Sequence, residues 1–312
     1  MKIYRSLSEI KLNEPTAVAL GNFDGVHKGH QALIAAAADF ARKESLKCAV
    51  FTFSNLPLNV IAGKTVVKSI MNFDEKAEAI SKYDVDYLFS VDFDEMMRTS
   101  PPDAFTRDIV SELLKAKLAV CGFNYSYGYK GAGTAETLKA AGKELGFDVR
   151  VVDAVHVGGE IVSSTLIRRA ISEGRVNQYI NYTGRPYDIE GIVIKGRQIG
   201  RRIGFPTVNL ALDGDMAQPM NGVYVTKTYV YQPDGTAEVC KSITNVGNKP
   251  TIGRFDKNAE THLFGFDQDI YGQKIKVEFI DLIRPEHKFD TIEALSEQIH
   301  RDCTYAENYH RI

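Results

Sequence analysis

Two histidines three residues apart, in Leu20-Gly-Asn-Phe-Asp-Gly-Val-His-Lys-Gly-His30, carry the clearest chemistry in this 312-residue chain. Gly21, Gly25 and Gly29 let the backbone turn tightly and lie close to a ligand. Where such a loop opens a helix, free N–H groups and the positive end of the dipole favour phosphate. His27 and His30 would share one face of the first turn. They could donate hydrogen bonds to phosphate oxygens without adding two permanent charges. Phe23 and Asp24 complete this nucleotide-binding loop. On the residues alone, a solvated turn and a metal site short of a third ligand both stay open.

Two further stretches suit phosphate. In Val162-Ser-Ser-Thr-Leu-Ile-Arg168, the hydroxyls of Ser163, Ser164 and Thr165 stand at a helix start. Arg168 follows about one turn on, placed to neutralise a leaving pyrophosphate. Alone, this motif is also a good N-cap. In Gly196-Arg-Gln-Ile-Gly-Arg-Arg-Ile-Gly-Phe-Pro-Thr-Val-Asn209, Gly196, Gly200 and Gly204 recur every four residues. That is too even for a Walker A loop, and the Lys-Ser/Thr ending is missing. Arg201, with Arg202, could flank phosphates. Pro206–Asn209 reads as a rigid turn offering the Thr207 hydroxyl and the Asn209 amide, hard oxygen ligands for Mg²⁺ beside ATP. A glycine-rich surface loop is the other reading.

These residues need elements to hold them. The first half alternates candidate strands (Thr16–Leu20, Lys47–Phe53, Tyr87–Val91, Lys117–Cys121, Asp148–Asp153) with helical patterns (Gln31–Lys43, Asp74–Lys82, Pro102–Lys115, Ala135–Leu145). That alternation predicts a doubly wound parallel sheet with helices on both faces. A short helix, Thr165–Glu173, is capped by Ser163 or Ser164 and stopped by Gly174. From Tyr187 the pattern turns β-rich: Ile189–Ile194, Val223–Tyr231, Ala237–Val246, Thr261–Phe266 and Lys274–Ile283. A last helix, Thr291–Arg301, closes a small antiparallel β-barrel. The division falls between residues 182 and 183.

Composition narrows the function. A net charge of -2 gives no basic surplus for nucleic acid or anionic membrane. No apolar stretch spans a bilayer, and Met1–Glu14 lacks the core and cleavage site of a signal peptide. Cys48, Cys121, Cys240 and Cys303 are scattered, with no CxxC pair or zinc spacing, so reduced thiols in the cytoplasm are expected.

HxGH near the start and SSTxxR near the end of a doubly wound module resemble the nucleotidylyltransferase superfamily. The closer resemblance is to prokaryotic bifunctional riboflavin kinase/FAD synthetases. It rests on Gly21–His30 and on Val120-Cys-Gly-Phe-Asn-Tyr-Ser-Tyr-Gly128. In the second half it rests on Gly204-Phe-Pro-Thr-Val-Asn209, Asn245–Thr251, Asp269–Gly272 and Leu282–Glu286. The resemblance implies a kinase barrel that phosphorylates riboflavin to FMN with ATP and Mg²⁺. It implies an N-terminal module that adenylylates FMN to FAD and releases pyrophosphate. It places Phe123, Tyr125 and Tyr127 at the flavin and makes Asn124 catalytic, where many members carry Asp. It makes Glu260 the general base toward the ribityl hydroxyl. Two features depart from the family. Phe53-Ser-Asn-Leu-Pro57 stands where the family shows Phe-x-Pro-His-Pro, and the acidic residue often found near Gly265 is missing.

Overall fold

The computed structural model describes residues 1–196, 200, 204–248 and 257–310. They form two compact units, Met1–Ser164 and Thr165–Ile312. The first is built on β1 (Lys2–Tyr4), β2 (Thr16–Leu20), β3 (Lys47–Phe53), β4 (Tyr87–Val91), β5 (Ala116–Gly122) and β8 (Asp148–Val152). Two short hairpins, β6 (Ser126–Tyr127) with β7 (Gly133–Thr134) and β9 (His156–Val157) with β10 (Glu160–Ile161), lie outside that sheet. The sheet is parallel throughout, in the order β1-β4-β3-β2-β5-β8. Every residue of β2 is buried, as a central strand covered on both faces must be. From β2 the chain steps outward through β3 to β4, then returns to the other side of β2 with β5 and β8. In doubly wound sheets such a reversal, here between β2 and β5, is where a ligand crevice forms, beyond the C-terminal ends of the strands. The HxGH loop leaves β2 and the Phe123–Tyr127 stretch leaves β5, so both reach it.

Helix α1 (Lys28–Glu44) lays Leu33, Ile34, Ala37, Ala38 and Ala41 on β2, β3 and β5. After α2 (Pro57–Ala62) comes α3 (Phe73–Ser81), started by an Asn72–Glu75 capping box. α4 (Glu95–Thr99) follows. The expected helix Pro102–Lys115 begins as one α-turn, α5 (Pro102–Ala104), and widens into a π-helix over Phe105–Leu113. Thr106 Oγ1 donates to the Pro102 and Asp103 carbonyls at 3.2 and 3.0 Å, a back-bond that disturbs regular α pairing. α6 (Ala135–Leu145) leads into β8.

The second unit opens with α7 (Ser164–Ser172), which starts at the division, and α8 (Val176–Thr183). Six antiparallel strands follow: β11 (Tyr187–Ile192), β12 (Val208–Leu212), β13 (Gly222–Tyr231), β14 (Ala237–Asn248), β15 (Lys257–Leu263) and β16 (Lys274–Pro285). Their order is β11-β16-β13-β14-β15-β12, and an Ile194–Asn209 bridge draws the two edges toward a nearly closed barrel. α9 (Ile292–Tyr309) covers β13 and β14, packing Cys303 and Ala306 on Val223, Val225 and Ile243. The expected turn at Pro206–Asn209 is corrected at its end: Val208 and Asn209 open β12, opposite Thr261 and Glu260. A β-branched residue followed by alternating Leu210 and Leu212 suits a half-buried strand better than a turn. Burial raises the Cys121 thiol to about 11 and those of Cys48 and Cys303 to about 12, so these thiols stay protonated and inert. Among the described residues no helix is long and apolar enough to cross a membrane.

The expected division at residues 182/183 falls one residue inside the end of α8, and by its packing α8 sits in the second unit. Tyr179 meets Tyr187 edge-on at 5.6 Å, and Asn177 Nδ2 donates to Asp281 Oδ1 at 3.1 Å. Tyr179 and Tyr182 are both buried. A fragment of residues 165–312 should therefore melt higher than one of 183–312, on the order of 5–15 °C. Equal melting temperatures by circular dichroism would show that α8 is dispensable to the barrel.

Candidate functional site

The turn from β2 into α1 is held in unusual backbone conformations. Phe23 (φ 48°) and Val26 (φ 36°) lie in the left-handed region that non-glycine residues avoid. Both are fully buried, so packing imposes the conformation. The expected glycine Gly25 also has positive φ (83°), and the Gly21 N–H donates to the Phe51 carbonyl at 3.2 Å. Asp24 is buried, its Oδ1 accepting the Ile70 N–H at 2.9 Å. The Ser164 hydroxyl donates to the Asp24 carbonyl at 2.9 Å, which brings this residue of the second motif to the first.

His27 is the N-cap of α1: its Nδ1 accepts the His30 N–H at 3.2 Å. In a neutral imidazole that leaves the ring proton on Nε2, so the far side of the ring is a donor. The His30 ring stacks on it with centroids 3.6 Å apart and planes 17° apart. The two histidines thus share a face, as their spacing implies. Gly29 sits against the capping ring: a Cβ there would stand 3.1 Å from Cε1 and Nδ1 of His27, a tight contact. The spacing H-x-G-H is the space the capping ring needs.

The stretch after β5 divides by burial. Phe123 and Asn124 are exposed, whereas Tyr127 is a core residue stacked on Tyr125 at 5.7 Å and tied to Thr137 Oγ1 at 3.2 Å. Phe123 and Asn124 are therefore the members open to a ligand, and the tyrosines support them. Ser163 is half-buried. Thr165, exposed, and Arg168, half-buried, continue α7 in the second unit. Sequence reasoning missed Lys76 on α3. It is buried, its Nζ donating to the Asn22 and Phe53 carbonyls at 3.3 and 3.1 Å. No sequence signal sets it apart from a solvated lysine on an amphipathic helix.

The second unit holds a cavity of about 490 Å³. Thr207, Asn245, Glu260, His262, Arg284 and Glu286 are in its wall. Glu260 on β15 pairs directly with Asn209 on β12. Between them the Asn258 amide donates to Asn209 Oδ1 at 2.9 Å and to Glu260 Oε1 at 3.2 Å. Asn209 itself is buried, and a Cβ on Gly196 would fall 2.5 Å from its Nδ2, so glycine at 196 makes room for that amide. Gly200 accepts the Phe205 N–H at 2.8 Å, and Gly204 has φ 87°. Arg201 lies outside the described residues, as do Arg202 and Lys249–Thr251. His262 was also missed. Its Nδ1–H donates to the Pro206 carbonyl at 2.7 Å, fixing the chain beside Thr207. Two-residue spacing from Glu260 along a strand was the signal available for it. The wall is stiffened where Arg284 Nε and Nη2 grip the buried Asp302 at 2.9 and 2.7 Å.

The fold and motifs define a two-unit transferase: a doubly wound nucleotide-type sheet followed by a barrel with a carboxylate in its cavity. A family model described as FAD synthetase matches residues 9–166, and one described as riboflavin kinase matches residues 183–310. The bifunctional riboflavin kinase/FMN adenylyltransferase of Haemophilus influenzae is 33% identical over 99% of both chains. That of Bacillus subtilis is 35% identical over 94% of this chain and 92% of its own. A crystal structure described as a macrolide-efflux protein from Streptococcus pneumoniae superposes with a TM-score of 0.89, at 31% identity over 98% of each chain. The chain belongs to the bifunctional riboflavin kinase/FMN adenylyltransferase family.

The contact at Gly29 can be tested directly. At an open helical position Gly→Ala stabilises by about 0.5–1 kcal/mol. Here Gly29→Ala should instead destabilise by roughly 1–2 kcal/mol, because the methyl crowds the capping ring. Denaturant unfolding reads the sign, and a stabilised variant would mean that His27 moves aside without cost.

Proposed function

We propose that this chain makes FMN in its second unit and FAD in its first, and that the residues above carry the two steps. In the barrel, the 5′-hydroxyl of riboflavin attacks the γ-phosphorus of ATP and ADP leaves. In the sheet unit, an FMN phosphate oxygen attacks the α-phosphorus of ATP and pyrophosphate leaves. The observation that carries the reading is the agreement of both family matches with a barrel cavity that presents Glu260.

Glu260 takes the hydroxyl proton as general base, steered by the Asn258 amide bonded to Oε1. Thr207 and Asn209 offer a hydroxyl and an amide oxygen, hard donors that fit Mg²⁺. When bound there, Mg²⁺ would supply charge neutralisation for the ATP phosphates. His262 keeps Thr207 in place through Pro206.

In the first unit His27 Nε2–H, His30 and the N–H groups of the loop stabilise charge that grows on the phosphates. Phe123 and Asn124 meet the substrates at the end of β5. Arg168 and the hydroxyls of Ser163, Ser164 and Thr165 are assigned to nucleotide on the strength of their motif. ATP supply and protonated thiols suit the cytoplasm.

Two assays, one supplied with riboflavin and one with FMN, separate the steps by chromatography of the flavins. Glu260→Gln should lower kcat for FMN formation by roughly 10²–10⁴-fold and leave conversion of supplied FMN to FAD unchanged. Near-normal kinase turnover would remove the general-base role.

His27 does two jobs, and two substitutions part them. Asparagine is a good N-cap, so His27→Asn should keep stability and lose FAD formation on the order of 10²-fold. His27→Ala should lose as much activity and about 1 kcal/mol of stability as well. Full FAD formation by His27→Asn would restrict this residue to capping.

A further inference from the structure

We infer that Lys76 is a positioning residue for adenylyl transfer: by holding the Asn22 carbonyl it aims the Phe23 N–H at phosphate. The inference rests on assigning FAD formation to the first unit. Lys76 is 7% exposed, and its Nζ reaches carbonyls at the C-terminal ends of two adjacent strands, Asn22 two residues past β2 and Phe53, the last residue of β3. The Asn22 carbonyl also accepts the Thr52 hydroxyl at 2.8 Å. Two donors occupy its two lone pairs, so this peptide cannot rotate freely. All described peptides are trans. In a trans peptide the N–H points opposite to the C=O, so the Phe23 N–H is directed away from Lys76. It lies in the turn that leads to His27 and His30, whose ring lies 5.1 Å from that of Phe23, and Phe23 itself has a left-handed φ of 48°.

A brace alone needs no charge. Methionine would fill a similar space without taking an ammonium out of water. A buried cation whose acceptors are two backbone carbonyls makes sense where anions arrive nearby, because it adds field as well as geometry. Burial lowers the Lys76 pKa below the ordinary lysine value, and Asp24 works against that shift. Asp24 comes from the loop after β2, and the exit of β3 presents the uncharged Phe53 and Ser54. On its own helix, Glu75 is engaged in the Asn72 capping box. FAD formation should therefore hold while Lys76 is protonated and fall as pH rises through that lowered pKa.

The experiment uses the full chain as wild type, Lys76→Met and Lys76→Arg. Conversion of FMN to FAD with ATP and Mg²⁺ is followed from about pH 7 to about pH 10. Phosphorylation of riboflavin is followed in the same preparations. Lys76→Met should lower kcat for FAD formation on the order of 10–100-fold, with KM for FMN within about twofold and the kinase step unchanged. Lys76→Arg should keep most of the activity and move the alkaline limb upward, since guanidinium stays charged. Wild-type kcat in Lys76→Met overturns the inference alone, and a wild-type chain that makes no FAD overturns it together with the assignment beneath it. An unchanged alkaline limb in Lys76→Arg overturns it too, and decides the matter should Lys76→Met fail to fold.

Discussion

The N-terminal unit depends on one constraint: the backbone between β2 and α1 must pass through left-handed conformations at Phe23 and Val26. Each such residue costs on the order of 1–3 kcal/mol, so the surroundings must over-determine it. They do so from several sides. Phe23 and Val26 are sunk in the core, Asp24 is held at the Ile70 N–H, and the Asn22 carbonyl is held by Thr52 and Lys76. The capping ring of His27 then starts the helix, packed closely over residue 29, where glycine leaves it room. The path of the backbone here is thus fixed by side chains from several elements.

The barrel solves a related problem by strand register. Asn209 and Glu260 face each other because β12 and β15 pair residue for residue, and Asn258, two places before Glu260 on the same strand, reaches both. A slip of one residue would turn Glu260 to the opposite face. Register is secured deeper in the sheet by a run of buried hydroxyls. Thr228 meets Ser242, Ser242 meets Thr226, Thr226 meets Thr244 and Thr244 meets Thr261, each at 2.8 or 2.9 Å. Thr261 is the neighbour of Glu260, so this chain of hydrogen bonds runs across β13, β14 and β15 to the strand that carries the carboxylate. Unmade, each buried hydroxyl would cost on the order of 1–3 kcal/mol, which penalises any other alignment.

Much of this was legible in the sequence because it is periodic or glycine-marked. Five of the six strands in the first unit's main sheet and the β-rich second half follow from apolar runs of strand length. HxGH could be read because a capping histidine and the glycine beneath it are local. What escaped depends on distant partners. The three-residue β1 is defined by β4 beside it, and β12 was hidden behind Pro206, whose local preference suggests a turn. α8 could not be assigned to the barrel from sequence, since Tyr179 and Tyr187 are brought together by the fold. Lys76 and His262 were missed for the same reason: each acts on a backbone carbonyl far away in the chain. Tyr127, read as a flavin residue from its motif, is buried in the core, a reading that an aromatic residue after a strand allows equally.

The departure at Phe53-Ser-Asn-Leu-Pro57 shows how such a loop can be rebuilt. Asn55 and Leu56 occupy the places of proline and histidine in the family's Phe-x-Pro-His-Pro pattern. Proline would stiffen this turn by fixing φ. Here the stiffness comes from hydrogen bonds instead: Ser54 bonds the Asp92 carboxylate, and Asn55 accepts the Phe93 N–H at 2.9 Å. The Phe53 carbonyl just before them is held by Lys76. Pro57 remains as the first residue of α2, with Leu56 as its N-cap and no side-chain bond to the helix. The loop thus keeps its anchorage to β4 and to the HxGH turn while losing one imidazole donor. The same Lys76 that holds Phe53 also holds, with Thr52, the Asn22 carbonyl, so the rebuilt loop and the HxGH turn share one anchor.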